Sequence, residues 1–209
     1  MNLYDHYVLP RLIDFACGMG SVMGVRAALV PRASGRVLEV GIGTGLNLRY
    51  YDPAKVSSIV GVDPAAQMHV RGKRRAALID IPLQMVAVDV HGIAADTASF
   101  DTIVMTFTLC SIAEPLPALN EMRRVMKAGG TLIFAEHGLS PDQTVSRWQK
   151  GLTPAWKHFA GGCHLDRDIP GLITAAGFEI DEQEEIYLSG PKPMTYVFSG
   201  VASVRKVQS

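Results

Sequence analysis

Arg36-Val37-Leu38-Glu39-Val40-Gly41-Ile42-Gly43-Thr44-Gly45 is the stretch that decides the fold. Val37, Leu38 and Val40 supply a short buried strand. Gly41, Gly43 and Gly45 follow at once, and glycine lets the backbone turn sharply and a ligand press against it. Asn47 to Tyr51 is expected to begin a helix whose unpaired N–H groups face the same turn. Glu39 is an acid inside an apolar strand. Burying a carboxylate costs free energy unless something pairs with it. A ligand carrying an ammonium or ribose hydroxyls is the expected partner.

The spacing narrows the ligand. A dinucleotide fingerprint is G-x-G-x-x-G, whereas here Leu46 stands where its third glycine would fall. No Gly-Lys-Ser/Thr follows, so the turn is not a P-loop. An acid just before the first glycine repels a pyrophosphate. It suits S-adenosylmethionine, whose methionine end carries an ammonium. The next apolar run, Ser58-Ile59-Val60-Gly61-Val62, ends at Asp63. An acid at the tip of the second strand can take both ribose hydroxyls.

Four segments now resemble the class I S-adenosylmethionine-dependent methyltransferases, over roughly residues 35 to 200. They are Glu39 to Gly45, Gly61-Val62-Asp63-Pro64, Val88-Asp89 with Phe100 to Val104, and Leu119 to Gly130, in the family's order. The resemblance implies an α/β, Rossmann-like, seven-stranded and mostly parallel sheet of order 3-2-1-4-5-7-6, with helices on both faces. It implies S-adenosyl-L-methionine as cofactor and S-adenosyl-L-homocysteine as product. The implied cofactor residues are Glu39, Gly41, Gly43, Thr44, Gly45, Asn47, Asp63, Pro64, Met68, Asp89, Val90 and Thr106. In such enzymes N-terminal helices lie across the cofactor. Residues 1–34 are therefore expected to form a helical lid on a methyltransferase domain at 35–209, a single domain overall.

Composition agrees with one folded unit. The chain has 209 residues, 48% hydrophobic and 19% charged, enough for one sizeable domain and too apolar for disorder. A formal net charge of +0 gives no electrostatic case for nucleic acid. The three cysteines, Cys17, Cys110 and Cys163, are widely spaced and odd in number. They argue for a reducing compartment, so a cytoplasmic location is expected. No C-x-x-C zinc spacing occurs, and no metal is expected.

Along the chain, Leu12, Phe15, Met19 and Val22 recur at helical spacing within Arg11 to Val30, although Gly18, Gly20 and Gly24 weaken that helix. Its charges and glycines argue against a membrane span, and peripheral membrane contact stays open. Pro64 can open a helix whose basic run, Arg71, Lys73, Arg74 and Arg75, reads as a solvated face. Leu83 to Val88 forms the third strand and Asp101 to Thr106 the fourth. Thr106 and Phe107 then lie at the sheet's carboxyl edge, where ligands sit. Cys110 reads as packing. Pro115 to Met126 is a helix closed by Gly129-Gly130, and Thr131 to Ala135 is the fifth strand. Gly138 to Arg167 carries Trp148, Trp156 and His158, either as part of an acceptor pocket or as a surface helix pair. Phe178 to Ile186 and Met194 to Val201 form a closing antiparallel hairpin.

A narrower resemblance rests on Leu109-Cys110-Ser111-Ile112, Ala135-Glu136-His137, Pro154-Ala155-Trp156 and Gly162 to Arg167. These segments are similar to the branch that contains animal alkyl-thiol methyltransferases, which implies a small lipophilic acceptor such as a thiol. Tyr4, Tyr7, Phe107, Trp156 and Cys163 are then assigned to the acceptor, and His137 and His164 to proton removal. Phospholipid N-methylation, quinone-type C- or O-methylation and non-catalytic cofactor binding remain alternatives. No obligate protein partner is evident.

Overall fold

The computed structural model describes residues 9–204, so Tyr4 and Tyr7 lie outside the described residues. Seven strands form one sheet in the order β3-β2-β1-β4-β5-β7-β6. They are β1 Gly35–Val40, β2 Val56–Val62, β3 Leu83–Val86, β4 Phe100–Thr106, β5 Met126–His137, β6 Phe178–Tyr187 and β7 Tyr196–Val204. The first five run parallel, and β7 pairs antiparallel with β5 and β6. The order is the one expected from sequence.

Alternation along the central strands sends side chains to opposite faces, and both faces are covered. Ile103, Met105, Leu132 and Phe134 pack with helix α4 (Pro115–Val125) and helix α6 (Ile169–Ala175). Val104, Ile133 and Ala135 pack on the other side with Val25 and Leu29 of helix α2 (Gly20–Leu29). Helix α3 (Ala66–Ala76) follows β2, helix α5 (Gln143–Phe159) follows β5, and the short α7 (Lys192–Thr195) joins β6 to β7.

Several local expectations change. The stretch Arg11 to Val30 is two helices, α1 (Leu9–Cys17) and α2, bent by 67°. Met19 is extended at φ −63°, ψ 149°, which breaks the run into two helices, and a Cβ at Gly18 would sit 2.7 Å from the Asp14 carbonyl oxygen, so the turn between them takes glycine. Asn47 to Tyr51 holds only a single 3-10 turn, Leu48–Tyr50. Pro53 follows two residues after Tyr51, and a proline disfavours helix in the residue before it. Gly129-Gly130 does not cap α4. That helix ends at Val125, and Met126, buried and extended at ψ 135°, already begins β5. Gly138 to Arg167 contains one 17-residue helix, whose N-cap Asp142 accepts from Thr144 and Val145 N–H at 2.8 and 3.2 Å. Among the described residues, no single helix is long and apolar enough to cross a membrane.

Candidate active site

A cavity of about 470 Å³ opens at the carboxyl ends of β1, β2 and β4, within the range of small-molecule sites. Its floor is Gly41, Gly43 and Thr44 of the glycine turn; Asp63, Pro64 and Met68 line one wall, and Asp89 and Val90 another. Thr106, Phe107 and Thr108 close the β4 side, and Leu9, Ile13 and Cys17 of α1 roof it. The glycine turn is shaped by close approach. Gly41 has φ +72°, and a Cβ there would lie 2.1 Å from Thr108 Oγ1.

Behind this floor lies a buried polar network. Glu39 accepts from Tyr51 O–H at 2.8 Å and from Asn47 Nδ2 at 3.0 Å. The expectation that a ligand compensates Glu39 is thereby corrected. Both carboxylate oxygens have partners inside the chain, and Glu39 is not among the cavity-lining residues. Burial raises its pKa to about 7, against the pull of Tyr51, Arg26 and Asn47. Asn47 also donates to Thr106 Oγ1 at 3.0 Å, so it too supports the floor and does not line it.

Arg26 of α2 completes the network. Its Nη1 donates to Asn47 Oδ1 at 2.7 Å and to Thr106 Oγ1 at 2.5 Å, and its guanidinium stacks 5.1 Å from the Phe107 ring centre. Arg26 lines the cavity while 5% exposed, and its Nε is buried without a hydrogen-bond partner. An unpaired donor on a buried cation is costly. It fits the α-carboxylate of a methionine-type ligand, and this orphaned atom is the structural test that the expected donor passes.

Asp63 is buried at the tip of β2. Its Oδ2 accepts from Gly43 N–H at 3.0 Å and its Oδ1 from Ala65 N–H at 2.8 Å. Burial raises its pKa despite these two donors. Asp89 caps the 3-10 turn Val90–Gly92, and both its contacts with His91 use Oδ1. Asp89 thus caps the strand end while lining the cavity. The backbone hydrogen bond to His91 N–H is the main cause that lowers the Asp89 pKa.

Asp14 fastens α1 over the glycine turn. It accepts from Thr44 Oγ1 at 2.5 Å, from Arg71 Nη1 at 3.0 Å and from Arg75 Nη1 at 2.8 Å. Arg75 Nη1 also donates to the Thr44 carbonyl at 2.7 Å. Burial would raise the Asp14 pKa, but Arg75 and Thr44 together hold it below the usual range. Two members of the basic run are thus engaged with α1, which corrects their reading as a purely solvated face.

The residues assigned to proton removal and to the acceptor divide. Phe107 lines the cavity, with φ +55°. His137, His164, Trp156 and Cys163 do not. His137 ends β5 and packs edge-on against Phe107, with ring centres 5.1 Å apart. His164 faces Asp166 at 3.7 Å, and burial followed by the nearby Arg167 lowers its pKa. Trp156 and Cys163 pack with Cys110 and Leu165 beside α5. The expectation that these four contact ligand in the cavity is corrected on position. Gly45 likewise sits one step behind the wall, against Leu48.

Sequence reasoning missed Arg26, Asp14 and Thr108. A lone arginine in an apolar helix was the available signal for Arg26. Asp14 and Thr108 carry no such signal, because their contacts come from chain segments far away in sequence.

With this geometry described, comparisons place the chain among known proteins. A model of the methyltransferase domain matches residues 38–134. Thiol S-methyltransferase TMT1B of Rattus norvegicus is 33% identical over 68% of this chain and 59% of its own length. The chain therefore spans about three fifths of that relative. Phosphatidylethanolamine N-methyltransferase of Cereibacter sphaeroides is 32% identical over 82% of this chain and 85% of its own. Two solved structures share the fold. Trans-methyltransferase CalH in complex with SAH has a TM-score of 0.64 at 22% identity, over 94% of this chain and 59% of CalH. The [4+2]-cyclase SpnF has a TM-score of 0.66 at 18% identity, over 94% of this chain and 81% of SpnF.

Proposed function

This chain belongs to the S-adenosylmethionine-dependent methyltransferases, and from that premise we propose that it methylates a small lipophilic thiol by direct in-line transfer. The observation that carries the proposal is the cavity's mixed lining. Asp63, Asp89 and Arg26 supply polar groups, while Leu9, Ile13, Phe107 and Ile112 supply apolar surface for an acceptor. The similarity to thiol S-methyltransferase TMT1B supports the thiol.

When bound, the cofactor supplies an electrophilic methyl group on a sulfonium. The chain's residues hold it. Arg26 Nε takes the methionine carboxylate, Asp63 the ribose hydroxyls, Asp89 and Val90 the adenine edge, and Met68 packs on the adenosine. The turn at Gly41, Gly43 and Thr44 lets the backbone come close. Asp14 keeps α1 across the opening, which restricts water. Holding two reactants in line can supply on the order of 7–11 kcal/mol, so the protein's main task is orientation. A thiol acceptor, once its proton has passed to solvent, would be held by Phe107 and Ile112 in line with the methyl group that the cofactor would supply.

A second reading is lipid N-methylation at a membrane surface. It draws on the similarity to the phosphatidylethanolamine enzyme and on Phe15 and Leu12 of α1, which are 75% and 51% exposed. Under either reading the chain works in the cytoplasm, with α1 as a lid that can touch a membrane.

The test is a panel of alkyl and aryl thiols, phenols, amines and phosphatidylethanolamine vesicles with labelled methyl donor. Label entering lipophilic thiols first is the expected result. Label confined to the lipid amine would replace the thiol reading. Calorimetry with S-adenosylhomocysteine runs beside it, and no heat at high micromolar ligand would remove both.

A further inference from the structure

Three residues far apart in sequence meet behind the Phe107 wall. Cys110 follows β4, His137 ends β5, and Cys163 lies in the loop after α5. Cys110 Sγ and Cys163 Sγ are 3.5 Å apart, Cys163 Sγ and His137 Nδ1 are 3.8 Å apart, and all three ligand atoms lie within 4.8 Å of one another. Tetrahedral zinc with Zn–S near 2.3 Å and Zn–N near 2.0–2.1 Å requires S···S of about 3.8 Å and S···N of about 3.6 Å. Two of the three separations, 3.5 and 3.8 Å, fall within about 0.3 Å of those edges, and the third lies within 4.8 Å.

The surroundings fit a buried cation. Glu136 is fully buried and accepts from Thr108 N–H at 2.9 Å and Cys110 N–H at 3.1 Å. It therefore fixes the backbone that presents Cys110, while the next residue of β5 presents His137. Across the cluster, Arg167 donates to the Leu109 carbonyl. With two thiolates and the Glu136 carboxylate against Arg167, a divalent cation brings the local formal charge to zero. The Trp156 indole N–H, buried without a conventional partner, suits an anionic sulfur.

We propose that Cys110, His137 and Cys163 bind one zinc ion whose fourth position receives the acceptor thiolate. Among the described residues no fourth Cys, His, Asp or Glu joins the group, and three protein ligands with an open position is the arrangement of reactive zinc. The cluster lies next to the cavity. His137 packs on Phe107, and Cys110 Sγ is 3.7 Å from Ser111 Oγ, both neighbours being cavity-lining. The acceptor's S–H bond breaks, its proton passes to solvent, its sulfur pair binds zinc, and the zinc-bound water leaves. That sulfur then gives a pair to the methyl carbon as described above. The ligand role for His137 replaces its role as a base. This inference rests on the thiol reading of the same site.

The test begins with the reduced full chain, titrated with zinc and separately with Co2+. One metal per chain and a sulfur-to-cobalt charge-transfer band that shifts when an alkyl thiol is added are the expected results. Cys163→Ser and His137→Ala should each weaken metal binding by more than tenfold while S-adenosylhomocysteine still binds, which shows that the variants fold. Less than one tenth of an equivalent of metal, or a Cys110–Cys163 disulfide that binds no zinc after reduction, would overturn the site. A cobalt band indifferent to thiol would overturn the acceptor role. Thiol methylation by chain stripped of metal would sink the metal's acceptor role and leave the methyltransferase reading intact. A loaded chain that methylates only amines would overturn the thiol reading, and with it the acceptor role of the metal, while leaving the metal site itself in place.

Discussion

Replacing Glu39 by glutamine isolates the one buried carboxylate behind the glycine turn. In the folded chain its pKa stands at about 7, against 4.5 for an ordinary glutamate. Burial is the main cause, only partly opposed by Tyr51, Arg26 and Asn47. A carboxyl group whose folded pKa is raised contributes its full stability below the unfolded pKa and loses it as pH rises through the folded value. The folded chain thus carries a growing penalty between about pH 4.5 and 7. At 1.36 kcal/mol per pH unit, the gap between the two pKa values corresponds to roughly 3 kcal/mol. Glutamine keeps the shape and stays neutral, so Glu39→Gln carries none of this pH dependence. Urea unfolding of both proteins at about pH 5 and pH 8 should show the variant gaining about 2–3 kcal/mol relative to the parent. In urea this is a midpoint difference of order 1 M. Parallel stability curves over that range would refute the reasoning, because they would mean that Glu39 is charged at no cost or is never charged.

Other perturbations separate cofactor, backbone and surface. Asp63→Asn should weaken S-adenosylhomocysteine binding by about 1–3 kcal/mol through lost charge-assisted hydrogen bonds; an unchanged calorimetric Kd would remove its ribose role. Gly41→Ala should lower stability by roughly 1–3 kcal/mol, since alanine must take φ +72° and meet Thr108. Adding Thr108→Ala should recover part of that loss in thermal melts, and no recovery would show that the contact is unimportant. Arg26→Met should abolish S-adenosylhomocysteine binding more completely than it reduces stability, and binding within about twofold of the parent would exclude the carboxylate role. Phe15→Ser with Leu12→Ser should cut sedimentation with anionic vesicles. If the parent does not sediment at all, α1 is no membrane contact.

The strand–glycine–acid grammar of residues 36 to 63, followed by strand and helix in alternation, pointed to the cofactor class and carried the family resemblance that implied the sheet order. Those features are local, because a strand's period, a glycine's freedom and the acid at a strand tip are each written within a few residues. The part of the cavity lining made by Gly41, Gly43, Asp63 and Asp89 was therefore legible in advance. Helix ends were less so, as at Gly129, where buried Met126 had already begun β5 before the glycine pair. What only tertiary structure decided was the pairing of distant side chains. Glu39 finds its partners in Tyr51 and Asn47, Asp14 reaches Arg71 and Arg75, and Cys110, His137 and Cys163 converge across 53 residues with no telltale spacing. A buried charge or thiol takes whatever neighbour the folded backbone brings within reach, and separation along the chain places no limit on which neighbour that is.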